Sequence, residues 1–169
     1  MKQVIKPKTG GGIVFLNSFE SVEDTKSWYW AGDYHLINDT PPGGGQHAVR
    51  VEGRNIFPAA TFISHPLKYG GYFTIQCWGK VIDKAGYVEL STISDHEVED
   101  AIQVYIFDPE WKFGQSSDTL YCPPEKSLML SMHAGLQMAG AMAVDLIQVK
   151  KVGRADKSLT TGNRKIVHR

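Results

Sequence analysis

Only two cysteines, Cys77 and Cys122, occur in the 169 residues. They lie 45 residues apart with no further thiol at metal-ligand spacing, which argues against zinc. Cys77 alternates with Phe73 and Ile75 and reads as a small buried apolar residue. A bond to Cys122 stays open, but nothing in the sequence requires it. No run of 18 apolar residues exists, so no helix of the chain can span a membrane. The N-terminal stretch MKQVIKPKTGGG is basic, and Pro7 and a glycine run stand where a signal peptide would carry its apolar segment. As given, the chain does not read as a secretion precursor, although it can be the mature part of one or a piece of a longer protein.

Other absences bear on function. Helical periodicity of useful length is missing, and there is no internal repeat. Neither GxSxG, a Cys–His elbow nor a glycine-rich phosphate loop ahead of a helix is found. The histidines at 35, 47, 65, 96, 133 and 168 show no HxH or HExxH spacing and read as surface or satisfied core residues. The run Asp95-His96-Glu97-Val98-Glu99-Asp100 holds carboxylates, the groups glycosidases use in pairs, but as a charge run between two strands it reads as a solvated loop. The chain is therefore expected not to be an enzyme.

What is present is apolar alternation. Ile13–Phe19, His47–Gly53, Phe57–Ser64, Gly71–Ile82, Gly86–Ile93, Ala101–Phe107, Ser127–His133 and Met142–Val149 all read with period two. Turn chemistry separates them, as in Asp39-Thr40-Pro41-Pro42-Gly43-Gly44-Gly45 and Asp83-Lys84-Ala85-Gly86. Apolar residues are 42% of the chain, aromatics 11%, with 17 Gly and 8 Pro, a turn-rich β composition. About eight short strands predict an all-β, antiparallel jelly-roll β-sandwich over residues 13–152.

Charge divides the chain. Residues 13–149 carry 8 Lys/Arg against 17 Asp/Glu, whereas 1–12 and 150–169 together carry 10 Lys/Arg and the single acid Asp156. An acidic body with basic N-terminal (1–12) and C-terminal (153–169) arms results. Neither arm has a pattern that can bury a face, so each is expected to be extended and held by a partner. Lys6, Lys8, Arg154, Arg164, Lys165 and Arg169 are the candidate contacts, with acidic bodies of neighbouring copies as the counterpart. Nucleic acid is a minor alternative, because no aromatic is interleaved with these residues and the body is acidic.

Leu16-Asn17-Ser18-Phe19-Glu20, then Trp28, then Gly43-Gly44-Gly45-Gln46-His47-Ala48-Val49-Arg50-Val51 resemble the opening of carbohydrate-binding modules with the galactose-binding-like jelly roll. Tyr72–Lys80 and Ala143–Val149 resemble an inner and the closing strand of those modules. The resemblance covers roughly residues 13–152 and leaves both arms outside. It implies that Trp28 is a core tryptophan. It further implies a structural calcium ion held by Glu20 and Asp145, with backbone carbonyls and Asn17 completing the oxygen shell. The family's second closing aspartate is Leu146 here, and the alternative is that Glu20 is simply solvated and Asp145 an ordinary paired acid.

Such modules hold sugars on an aromatic face flanked by amides and carboxylates. Trp30, Tyr34 and Trp78, with Gln76, are the candidate glycan-binding residues, and Asn38, Asp39 and Gln46 are possible companions. Two functional expectations follow. The first is a non-enzymatic subunit of a larger assembly, such as a phage virion, anchored to other protein subunits by its arms and binding glycans on its outer face. The second is a carbohydrate-binding module acting with a secreted polysaccharide-degrading enzyme. The corresponding locations are a virion or the extracellular space.

Overall fold

Alternation of apolar and polar side chains places successive residues on opposite faces of a pleated strand, and two such faces can bury each other. The computed structural model describes residues 12–54, 57–136 and 139–153. Among them are twelve strands: β1 (Gly12–Asn17), β2 (Tyr29–Trp30), β3 (Asp33–Ile37), β4 (Ala48–Gly53), β5 (Ala60–Ile63), β6 (Gly71–Asp83), β7 (Gly86–Ser94), β8 (Glu97–Ile106), β9 (Lys112–Gln115), β10 (Leu120–Cys122), β11 (Ser127–His133) and β12 (Gly140–Val152). A single 3₁₀ turn, Val22–Thr25, is the helical element among the described residues. The candidate arm residues Lys6, Lys8, Arg154, Arg164, Lys165 and Arg169 lie outside the described residues.

The strands form two antiparallel sheets. One runs β10-β6-β12-β4-β3, with β1 also paired to β12 and β9 to β6; the other runs β2-β5-β11-β7-β8. The expected antiparallel sandwich is thus present. Its interior is made by the inward rows Val49 and Val51, Phe73, Ile75 and Cys77, Val88 and Leu90, Leu128, Leu130 and Met132, and Val144, Ile147 and Val149. Trp28 is 5% exposed and lies amid Phe15, Phe19, Trp30 and Phe62, with ring centroids 5.8–6.3 Å away. It is the core tryptophan that the resemblance implies. Its indole nitrogen has no hydrogen-bond partner among the described residues, so packing alone holds it.

Four strands are additional to the expected eight: β2, β3, β9 and β10. Each has two to five residues, too few for alternation to stand out. The acidic run is not a loop. Asp95 and His96 both have positive φ, 50° and 66°, and make the tight turn of a hairpin whose second strand begins at Glu97. Two central residues with φ > 0 match the right-handed twist of the flanking strands, so Glu97, Val98 and Asp100 stay paired on β8, with Glu99 at a bulge and all four exposed.

Cys77 and Cys122 are both free and buried. Cys122 pairs with Gly71 at one end of β6, and Cys77 is six residues further along, about 20 Å away, which rules out a bond between them. Burial pushes the Cys77 thiol up to about 12, so it is inert at neutral pH.

Replacing Trp28 by Ala is expected to lower unfolding stability by about 3–5 kcal/mol through the cavity it leaves. Urea denaturation monitored by circular dichroism checks this; a loss below about 1 kcal/mol would contradict the central packing role.

Candidate functional site

The sandwich displays two outer faces, one on each sheet. On the five-stranded sheet, Val88, Leu90, Ile102, Val104, Leu130 and Met132 point into the core, so their sequence neighbours point outward. The antiparallel register then sets these neighbours side by side. Tyr29 faces Thr61, Thr61 faces Ser131, Ser131 faces Glu89 and Glu89 faces Gln103. One rung away His133 faces Tyr87, and Tyr87 faces Tyr105. Five strands at their usual spacing make this band about 19 Å wide.

Rings dominate one rung of the band. Tyr87 and His133 stack at 4.2 Å with planes 10° apart, Tyr87 and Tyr105 are 5.6 Å apart, and Tyr105 stacks on Phe107 at 5.5 Å and 9°. Tyr105 and Phe107 are 53% and 66% exposed, and Tyr29 at the opposite edge is 72% exposed. The other rung is polar. Gln103 Nε2 donates to Glu89 Oε2 at 2.8 Å, and the Ser131 hydroxyl lies 3.1 Å from His133 Nε2. Ser91 and Ser131 are fully covered, so the taller side chains around them close over this rung. Burial lowers the His133 pKa against the opposing pull of Glu89. Burial, then Glu89 and Tyr105, raise that of Tyr87. At neutral pH both rings are therefore uncharged. A trough with ring faces on one side and amide, hydroxyl and carboxylate groups on the other can stack a sugar ring and bond its hydroxyls at once.

None of this trough was among the sequence candidates. Tyr29 had a signal, because it alternates away from Trp28 and Trp30. The rest are ordinary outward residues on four separate strands, and only pairing brings them together.

The sequence candidates fall in two other places. Trp30 is half-buried against the core, and its indole N–H donates to the Thr25 carbonyl at 2.9 Å. Tyr34 stacks over it at 3.9 Å and 18°. The pair closes the sandwich where edge strands β2 and β3 approach each other, so one face of the Trp30 ring is covered by Tyr34, which is itself exposed. Gln76 and Trp78 lie on the outer face of the larger sheet, where Gln76 Nε2 donates to Gln148 Oε1 at 3.2 Å and Trp78 meets Phe113 edge-on at 5.9 Å. Of the companions, Asp39 accepts from Lys80 and from the Trp111 indole (3.0 Å), while Gln46 uses its backbone N–H on Glu20.

Glu20 and Asp145 do converge. The Glu20 carboxylate accepts from the backbone N–H groups of Gln46 (3.0 Å) and His47 (3.4 Å). Gly44 and Gly45 sit against the two acids: a Cβ on Gly45 would come within 2.5–2.6 Å of the Glu20 carboxylate, and one on Gly44 would strike Asp145 Oδ2. The glycine run is needed there to leave room beside the acids. Asp145 is fully buried at a bulge in β12; its Oδ1 accepts from the Leu146 N–H at 2.7 Å, and its Oδ2 has no partner among the described residues. An orphaned buried carboxylate oxygen beside a second carboxylate fits a hard cation. Asn17 does not contribute its side chain freely, since Oδ1 accepts from Phe19 N–H and Nδ2 donates to the Asp24 carbonyl, both at 2.9 Å. No group of three His, Cys, Asp or Glu is placed for a metal among the described residues, so backbone oxygens would have to complete a shell.

No protein family and no curated protein matches this sequence. Solved structures do match. The CBM22-1 xylan-binding domain from Paenibacillus barcinonensis Xyn10C superposes with a TM-score of 0.65 at 15% identity, covering 87% of this chain and 99% of that one. The C-terminal family 22 carbohydrate-binding module of Clostridium thermocellum Xyn10B gives 0.59 at 14%, over 88% and 98%. The enzymatically active domain of bacteriophage CBA120 tailspike protein 4 gives 0.53 at 14%, over 73% of this chain but only 19% of that one. The chain has the β-sandwich fold of carbohydrate-binding modules.

Desolvation, and then the charge of Glu20, raise the Asp145 pKa to about 7. The folded state thus favours the protonated acid, and this contribution to stability is complete below the unfolded value near 4 and lost as pH rises through about 7. In chelator, the melting temperature should fall between about pH 5 and about pH 8, and Asp145→Asn should flatten that fall. An equal slope in the variant would show that Asp145 is not the group responsible.

Proposed function

We propose that this chain is a non-catalytic glycan-binding module that lays a neutral polysaccharide along the outer face of its five-stranded sheet. The observation that carries the reading is the trough itself. Tyr105 and Phe107 offer exposed rings backed by Tyr87, and Glu89, Gln103 and Thr61 offer hydroxyl partners within the same band. Xylan-binding modules with the same fold support it, and a xylan-like β-linked polysaccharide is the substrate class to try first. Such a module works beside a polysaccharide-degrading enzyme, outside the cell, where its polymer is found.

We further infer that Glu20 and Asp145 hold one calcium ion with neighbouring backbone oxygens. Its role is structural: two carboxylates from β12 and the segment after β1, bridged by the Gly44–Gly45 turn, would be tied without mutual repulsion.

The assembly reading takes second place. In its favour, Gly12 pairs with Lys151, so the two ends of the described residues lie side by side. Nothing else in the described residues points to a virion. Deleting 1–11 and 154–169 separates the two readings: a glycan module keeps its binding, whereas a virion subunit loses assembly.

Tyr87→Ala and Tyr29→Ala should each weaken binding to insoluble neutral polysaccharide by about 5–30-fold, the loss of one or two kcal/mol of ring contact. Pull-down isotherms check this, and unchanged affinity in both would overturn the trough as the site. For the cation, calcium should raise the melting temperature of the wild-type chain by a few degrees and that of Asp145→Asn by much less. A shift of equal size in both would remove the ion from Asp145.

A further inference from the structure

The larger sheet bears a second arrangement of rings and amides, on the side of the molecule opposite the trough. Along β6, Phe73, Ile75 and Cys77 point into the core, so Gln76 and Trp78 point out. Register adds partners on both sides. Gln115 of β9 and Gln148 of β12 both face Gln76, giving an unbroken rung of three amides across three strands. On the adjoining rung Phe113 faces Trp78 with ring centroids 5.9 Å apart, and Phe113 is 49% exposed. The two rungs are about 7 Å apart, within reach of one ring-sized ligand.

The groups this patch presents to solvent are uncharged: Asp145 of β12 faces Trp78 on the same rung, but it is fully buried beside the Gly44 turn. Gln76 Nε2 donates to Gln148 Oε1, which fixes the orientation of both amides and leaves the Gln76 carbonyl and the Gln148 NH2 directed elsewhere. Gln115 is exposed. The nearby cation Lys80 is bound to Asp39 and lies 5.8 Å from the Trp111 ring centroid, and Asp39 also accepts from the Trp111 indole. Lys150 lies one rung beyond, opposite Thr74. Alternating amide donors and acceptors match neighbouring sugar hydroxyls, and a half-exposed aromatic edge beside them supplies the apolar contact that a sugar ring needs and a highly charged partner does not.

We propose that the rungs Gln115·Gln76·Gln148 and Phe113·Trp78 form a second binding site for a neutral glycan, which makes the module bivalent. The inference rests on the glycan-binding reading above. Two sites on opposite faces cannot share one short oligosaccharide, but they can engage two polysaccharide chains, so the module links polymers and gains avidity on a dense surface.

The test is titration of the full chain with a panel of neutral β-linked hexasaccharides, followed by ¹H–¹⁵N spectra of its four tryptophan indoles and its backbone amides. The Trp78 indole and the Gln76 amide should shift with a saturation curve of their own, separate from that of Glu89 and Ser131. Phe113→Ala and Gln115→Ala change exposed residues on a short edge strand and should abolish the Trp78 shift while leaving the trough shifts intact. Tyr87→Ala should do the reverse. On insoluble polysaccharide, Phe113→Ala should lose about tenfold or more in apparent affinity. A stationary Trp78 indole at saturation of the trough overturns the second site and leaves the trough standing. Shifts of Trp78 that require a uronic-acid polymer also overturn it, since Lys150 would then be the binding group. If no resonance on either face moves with any hexasaccharide, the glycan-binding reading falls and takes this inference with it.

Discussion

Strand register is the constraint from which the rest of this molecule follows. A slip of one residue on β7 would expose Val88 and Leu90 and bury Tyr87 and Glu89. The core therefore fixes not only the inside but also which side chains stand together outside. Glu89 faces both Ser131 and Gln103 because Val88 and Leu90 are already committed to the interior. In this sense the aromatic packing around Trp28 and the Glu89–Gln103 rung of the outer face are two sides of one arrangement. The outer faces are free to vary in chemistry while the inner faces hold their geometry, which is how one sandwich fold comes to carry unrelated sites.

The Glu20–Asp145 pair is a different kind of constraint. A fully buried acid with an open oxygen destabilises a fold unless it is protonated or neutralised by a cation. Two glycines are placed so that nothing larger than hydrogen intrudes on the carboxylates. Leu146 takes a positive φ of 49° at the adjacent bulge, where its N–H serves Asp145. A leucine in that conformation costs on the order of 1 kcal/mol, a local strain set against the geometry of the acid.

Much of the fold was legible because burial leaves a period-two trace. The long strands β6, β7, β11 and β12 carry inward rows that no other element type would produce, and Trp28 follows Phe19 in an order that fits a sandwich core. Short strands left less of a trace: Tyr29–Trp30 is a two-residue strand, and the stacking of Trp30 on Tyr34 across the edge required the structure. The site was least legible. Tyr29, Thr61, Glu89, Gln103 and Ser131 are separated by up to about a hundred positions, and their adjacency exists only after five strands pair. Glu20 and Asp145 were visible as a pair through the resemblance to carbohydrate-binding modules. Their glycine-lined approach, and the engagement of Asn17 elsewhere, required the structure.

The most direct measurement is a crystal structure of the chain with a neutral β-linked oligosaccharide. The account predicts sugar rings lying along the five-stranded sheet, packed on Tyr87 and Tyr105, with hydroxyls bonded to Glu89 and Gln103. An oligosaccharide bound only at the Trp30–Tyr34 edge, with the trough open to solvent, would contradict it.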